Sequence, residues 1–106
     1  MSERRRMARA RLGRMLFNKY VDGFPHVAEL VDLSASGMLV RKIHEPDTSK
    51  DFYSLELGLP GTTERVWLWA RRVWQKGDQE ALRFVGIDPI DRAKLIRLVE
   101  RTRRAA

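Results

Sequence analysis

The hexapeptide Asp32-Leu33-Ser34-Ala35-Ser36-Gly37 is the stretch in which side-chain type and spacing most suggest chemistry. Aspartate only accepts hydrogen bonds, serine both donates and accepts, and a glycine without a Cβ lets another molecule approach the backbone. Such a set suits a ligand with donor edges and anionic oxygens. The plainer expectation is a turn that satisfies itself, with Asp32 and Ser34 capping their own backbone and Gly37 supplying a positive φ. A second stretch, Glu3-Arg4-Arg5-Arg6-Met7-Ala8-Arg9, sets Arg5 and Arg9 three residues apart ahead of the first apolar run.

The elements that must position these groups read as short strands. Leu12 to Tyr20 alternates loosely, with Met15 and Phe17 on one side and Arg14 and Asn18 on the other. Asp22-Gly23 is a hairpin signal, and Pro25 is expected to stop the strand from running on. A second strand is expected over about 26–32 and a third over 38–43, with the polar hexapeptide between them and a loop over 45–51. Tyr53, Leu55, Leu57 and Leu59 alternate with Ser54, Glu56 and Gly58, the clearest period of two in the chain, before Pro60-Gly61 turns it. Over 65–75, Val66, Leu68 and Ala70 share one face, and Trp67, Trp69 and Arg71 the other, so both faces are expected to bury something. After a turn at 76–79, Leu82 and Phe84 face inward from a last strand. The period then changes: Leu95, Ile96, Leu98, Val99 and Thr102 lie along one side of a helix over about 89–104. Asp88 is placed to cap it, Pro89 to begin it and Asp91 to favour its positive end. Six strands and a helix predict a mainly β fold, a six-stranded antiparallel barrel with a C-terminal α-helix.

Both polar stretches, in this order and about this far apart, resemble the PilZ domain family, marked by R-x-x-x-R on an N-terminal loop followed by D/N-x-S-x-x-G. Ala81 to Pro89 resembles that family's last strand turning into its helix. The resemblance implies a cyclic di-GMP receptor with Arg5, Arg9, Asp32, Ser34 and Gly37 as ligand-binding residues. Arginine's planar fork can grip a phosphate or the Hoogsteen edge of guanine and stack on the base, which suits the assignment. Arg4, immediately before the R-x-x-x-R, implies an intercalated pair, two ligand molecules per chain, as members with an arginine there tend to bind. Arg71 and Arg72, near the tryptophans, are peripheral candidates for cation-π contact. The resemblance also implies signalling through a separate effector protein in motility, secretion or surface-polymer synthesis.

Size and composition bound the alternatives. A chain of 106 residues with 43% hydrophobic and 33% charged residues is expected to form one domain over 12–106, preceded by a flexible arginine-rich arm over 1–11. With zero cysteines and two histidines, neither thiolate chemistry nor a metal site is expected, nor any cofactor. No apolar run approaches the roughly 20 residues of a membrane span, so a cytoplasmic protein is expected. The net charge of +7 is uneven. Residues 1–14 set six arginines against Glu3 and residues 89–106 set six Lys or Arg against Asp91 and Glu100, giving +5 and +4 and leaving −2 for 15–88. A pI near 10.5 with Trp67, Trp69 and Trp74 leaves a nucleic-acid-binding barrel as an alternative, although here the basic residues are not interleaved with the aromatics. A PilZ-like domain that has lost its ligand and acts by protein contact is another. An enzyme is not expected: His26 and Asp32 stand six residues apart on one strand, too far to join Ser34 in a triad.

Overall fold

The computed structural model describes residues 15–46 and 48–104. Their sequence builds six strands and a helix: β1 (Leu16–Val21), β2 (Phe24–Leu33), β3 (Gly37–Lys42), β4 (Phe52–Gly58), β5 (Arg65–Lys76), β6 (Gln79–Ile87) and α1 (Pro89–Arg104). The strands close into an antiparallel barrel in the order β1-β2-β3-β6-β5-β4. The seam between β1 and β4 sets Asn18 opposite Glu56, Lys19 opposite Leu55 and Tyr20 opposite Ser54, so no strand is left as an open edge. The expected mainly β barrel with one C-terminal helix is the observed architecture. Residues 1–14, including the arm over 1–11 and the expected start of the first strand at Leu12, lie outside the described residues.

Alternation decides which side chains fill the barrel. Phe17 and Val21 of β1, Ala28 and Leu30 of β2, Met38 and Val40 of β3, Tyr53, Leu55 and Leu57 of β4, Val66, Leu68 and Ala70 of β5, and Leu82 of β6 are all buried. From α1, Leu95, Leu98 and Val99 join them and close the end of the barrel near Leu57 and Val66. Each of the larger aliphatic side chains among them contributes on the order of 1.5–3 kcal/mol when withdrawn from water. The helix is also fixed at its rim. Arg101 donates to the carbonyl of Pro60 at 3.1 Å, and Asp91 Oδ2 accepts from the Trp67 amide at 3.4 Å. Arg92's amide bonds the carbonyl of Asp88 at 2.8 Å, which makes Asp88 the cap residue and Pro89 the first helical one, as the sequence predicts.

Three expectations need correction. Pro25 does not stop the strand. It lies inside β2 opposite Tyr20, because β3 pairs with β2 only from Ala28 onward, and a residue without an N–H is tolerated where one edge has no partner. Asp22 and Gly23, with φ of 55° and 86°, form the two-residue turn between Val21 and Phe24, whose positive dihedrals match the twist of the flanking strands. The outer face of β5 is not buried: Trp67 and Trp69 are half exposed, Trp67 partly covered by Tyr20 at 5.7 Å between rings and Trp69 by Phe52, stacked at 5.2 Å. On α1, Ile96 is exposed and so falls off the buried stripe, and the Thr102 side chain lies outside the described part of the chain.

Candidate functional site

A β-bulge sets up the polar turn. Leu30 faces Val40 and Asp32 faces Leu39, so Val31 and Asp32 together oppose one residue of β3. An extra residue shifts the alternation by one position. Ala28 and Leu30 point into the barrel, and uninterrupted alternation would send Asp32 in after them. With the bulge, Leu33 takes the buried place and Asp32 is only partly covered. A carboxylate that belongs in solvent or on a ligand is thereby kept out of the core.

Beyond Asp32 the chain reverses through Ser34, Ala35 and Ser36 and is held by short bonds. Asp32 Oδ1 accepts from the Leu33 amide at 3.0 Å, and the Ser34 amide donates to the Gly37 carbonyl at 2.9 Å. Ser34 Oγ donates to that carbonyl at 3.2 Å and accepts from the amides of Ser36 and Gly37 at 3.3 and 3.2 Å. The expected self-satisfying turn is present. Gly37 is required for another reason than the expected one. Its φ is not positive. A Cβ built on it would stand 2.3 Å from the backbone carbonyl oxygen of Leu82. The close approach that this glycine permits is that of β6, which also donates the Phe84 amide to the Ser36 carbonyl at 2.9 Å. The turn is consequently a rigid feature of the barrel wall.

The turn borders open space. Ala35 and Ser36 form one wall of a cleft of about 490 Å³ whose other lining includes Phe84, Val85 and Gly86 of β6 and Arg92 of α1. The first strand begins beside it. The Met15 carbonyl accepts the Leu30 amide at 2.8 Å, two residues before Asp32, so β1 is entered next to the residues that lead into the turn. Arg4, Arg5 and Arg9 lie outside the described residues. Asp32, Ser34 and Gly37 are brought together in the turn, while the cleft beside it is lined by two residues that were not expected, Ser36 and Arg92. His26 and Asp32 share β2 as anticipated.

Arg71 and Arg72 are placed differently from the tryptophan contact considered for them. Arg71 lies over the Phe52 ring at 5.2 Å and pairs with Asp51 at 3.5 Å. Arg72 lies at the barrel mouth, donating to the exposed Gln75 at 2.7 Å on one side and facing the buried Glu80 at 3.5 Å on the other. It meets there a cluster that sequence reasoning missed. Lys19, fully buried, donates to Glu80 at 2.5 Å and to Glu45 at 2.8 Å and lies 4.3 Å from the centre of the Tyr53 ring. The Tyr53 hydroxyl stands 2.9 Å from both Glu80 and the Lys50 carbonyl, two acceptors that share its one proton. Burial, reinforced by the Glu80 charge and hydrogen bond, raises the Tyr53 hydroxyl well above its ordinary value near 10. The signal available in the sequence was the phase of the strands, since Lys19 is in step with Phe17 and Val21, and Glu80 with Leu82. The cluster closes the barrel end away from α1 and ties down the segment around Glu45 and Lys50, so its role is structural.

Comparison with known proteins agrees with this architecture. The sequence profile of the PilZ domain matches residues 3–101. The crystal structure of the PilZ domain of CeSA from a cellulose-synthesizing bacterium superimposes with a TM-score of 0.65 at 20% identity, covering 83% of this chain and 91% of that one. The uncharacterized Legionella protein Lpg0364 superimposes with a TM-score of 0.51 at 18% identity, covering 83% and 86% of the respective chains. No curated protein sequence matches. Since the profile spans nearly the whole chain, from the arginine-rich stretch through the bulged turn to the closing helix, the chain belongs to the PilZ domain family.

Proposed function

We propose that this domain binds cyclic di-GMP between the Asp32–Gly37 turn and the arginines of residues 4–9, and passes the signal to a separate effector protein. Domains of this family are in general receptors for that nucleotide. The observation that carries the reading here is the entry of β1 beside the turn, through the bond of 2.8 Å between the Leu30 amide and the Met15 carbonyl. Arg9 is six residues from Met15, a span of at most about 20 Å when extended, so its guanidinium can reach Asp32, Ser34 and the neighbouring cleft. Arg5 and Arg9 grip a phosphodiester or the Hoogsteen edge of guanine through paired hydrogen bonds. Asp32 accepts from a guanine edge, Ser34 and its turn meet a phosphate or guanine atom, and Gly37 keeps that turn close against β6. Arg4 adds a third guanidinium, and with it a second, intercalated ligand molecule.

The domain acts in the cytoplasm as an adaptor without chemistry of its own, its effector belonging to motility, secretion or surface-polymer synthesis. No described helix is long and apolar enough to cross a membrane. Calorimetric titration with cyclic di-GMP tests the reading. Saturable heat is expected, with cyclic di-AMP and GMP competing poorly, and the stoichiometry distinguishes one ligand from two. No heat at high micromolar nucleotide would leave a PilZ fold acting through protein contacts alone.

A further inference from the structure

Of the turn, Ala35 and Ser36 line the cleft, and α1 supplies Arg92 and Leu95 to the same lining. Arg92, in the first turn of that helix, lines the same space of about 490 Å³ as Ala35 and Ser36, with Phe84, Ile87 and Leu95 as its apolar lining. That volume is of the size that holds a small organic ligand. Arg92 is exposed, and among the described residues its guanidinium makes no hydrogen bond or ion pair. Lys94 faces Glu64 at 3.6 Å and Asp91 at 4.0 Å and Arg101 binds the Pro60 carbonyl, whereas Arg97 is exposed like Arg92 but does not line the cleft. The carboxylates nearest Arg92 in the chain do not compete for it. Asp91 Oδ2 accepts from the Trp67 amide while Oδ1 faces Lys94, and Asp88, one turn earlier, lies beyond ion-pair distance.

We propose that Arg92 is a ligand-binding residue, a guanidinium supplied by α1 that grips a phosphate oxygen of the bound nucleotide in the cleft that Ala35 and Ser36 of the turn also line. The inference rests on the cyclic di-GMP reading and adds to it a residue from a different element. The helix that seals the barrel thereby also senses the ligand. Its first turn, where unpaired backbone amides favour negative charge, is well placed for that task.

The test is calorimetric titration of wild type, Arg92→Gln, Arg92→Lys and Arg97→Gln with cyclic di-GMP at two salt concentrations. Arg97 is an equally exposed arginine of the same helix away from the cleft lining. Arg92→Gln is expected to weaken binding about five- to tenfold and to lower its salt dependence, with Arg92→Lys between it and wild type. Arg97→Gln should remain within about twofold of wild type, and all four proteins should melt alike, since both positions are exposed. Wild-type affinity in Arg92→Gln would overturn the inference while leaving the turn-based reading intact. Equal weakening by Arg92→Gln and Arg97→Gln would overturn it too, by assigning the effect to the overall field. Absence of binding by wild type would remove both the reading and this extension of it.

Discussion

Gly37 shows how one residue can serve a binding motif by serving the fold. A methyl group there would meet the Leu82 carbonyl oxygen at 2.3 Å, and because the obstacle is backbone on the adjacent strand, neither partner can rotate away. Gly37→Ala is expected to cost about 1–3 kcal/mol in a urea melt, by forcing β3 from β6. Gly86→Ala is the contrast, since its Cβ would rest 3.6 Å from the Trp69 ring, an ordinary contact, and should change stability by no more than about 0.5 kcal/mol. Tyr53 gives a second prediction. Its hydroxyl is raised by burial and by Glu80, so the folded state keeps a proton that the unfolded chain releases near pH 10. The resulting stability is fully present below pH 10 and is lost as the pH climbs toward the folded-state value. The stability difference between wild type and Tyr53→Phe, followed by urea midpoints from about pH 9 to 11, should shrink with rising pH. Tyr20, also raised by burial and by Glu56, keeps a residual slope in the variant. A constant difference would mean that Tyr53 ionises as freely folded as unfolded.

At the scale of elements, the strands and the helix were legible wherever one face was buried and the other wet. Tyr53, Leu55 and Leu57 alternate in the sequence and in the barrel, and Leu95, Leu98 and Val99 mark the helix stripe in both. What escaped depends on neighbours that are distant in sequence. The bulge at Val31 exists only relative to β3, and Pro25 is tolerated only because β3 begins its pairing at Ala28. Lys19 and Glu80 are 61 residues apart, so neither alone announces a buried ion pair. In the candidate site, residue types and order were readable for Asp32, Ser34 and Gly37. The cause of the glycine was not, because it lies in β6, and neither was Arg92, which the topology carries to the cleft from the far end of the chain. The arginine-rich segment is the element on which the proposed function turns. Saturating cyclic di-GMP should slow amide exchange and proteolysis across residues 1–11, as expected for a terminus that ligand ties to the barrel. Unchanged exchange there, with ligand bound, would assign the contacts to the barrel alone.

Across the whole molecule, charge and shape divide the work. The two ends carry +5 and +4 and the body −2, so under the proposed function a nucleotide with two phosphodiesters would be drawn first to the basic ends and then oriented by the turn. Affinity should therefore fall as salt rises. Field alone would favour any polyanion, nucleic acid included, and would make Asp32 a hindrance. Recognition of guanine makes it a partner. The ratio of the cyclic di-GMP dissociation constants of Asp32→Ala and wild type, measured at one salt concentration, separates the two most directly. Loss of an acceptor for the guanine edge predicts binding weaker by about five- to 150-fold, the equivalent of roughly 1–3 kcal/mol. Tighter binding by Asp32→Ala, as removal of a negative charge from a purely electrostatic anion site requires, would contradict the account.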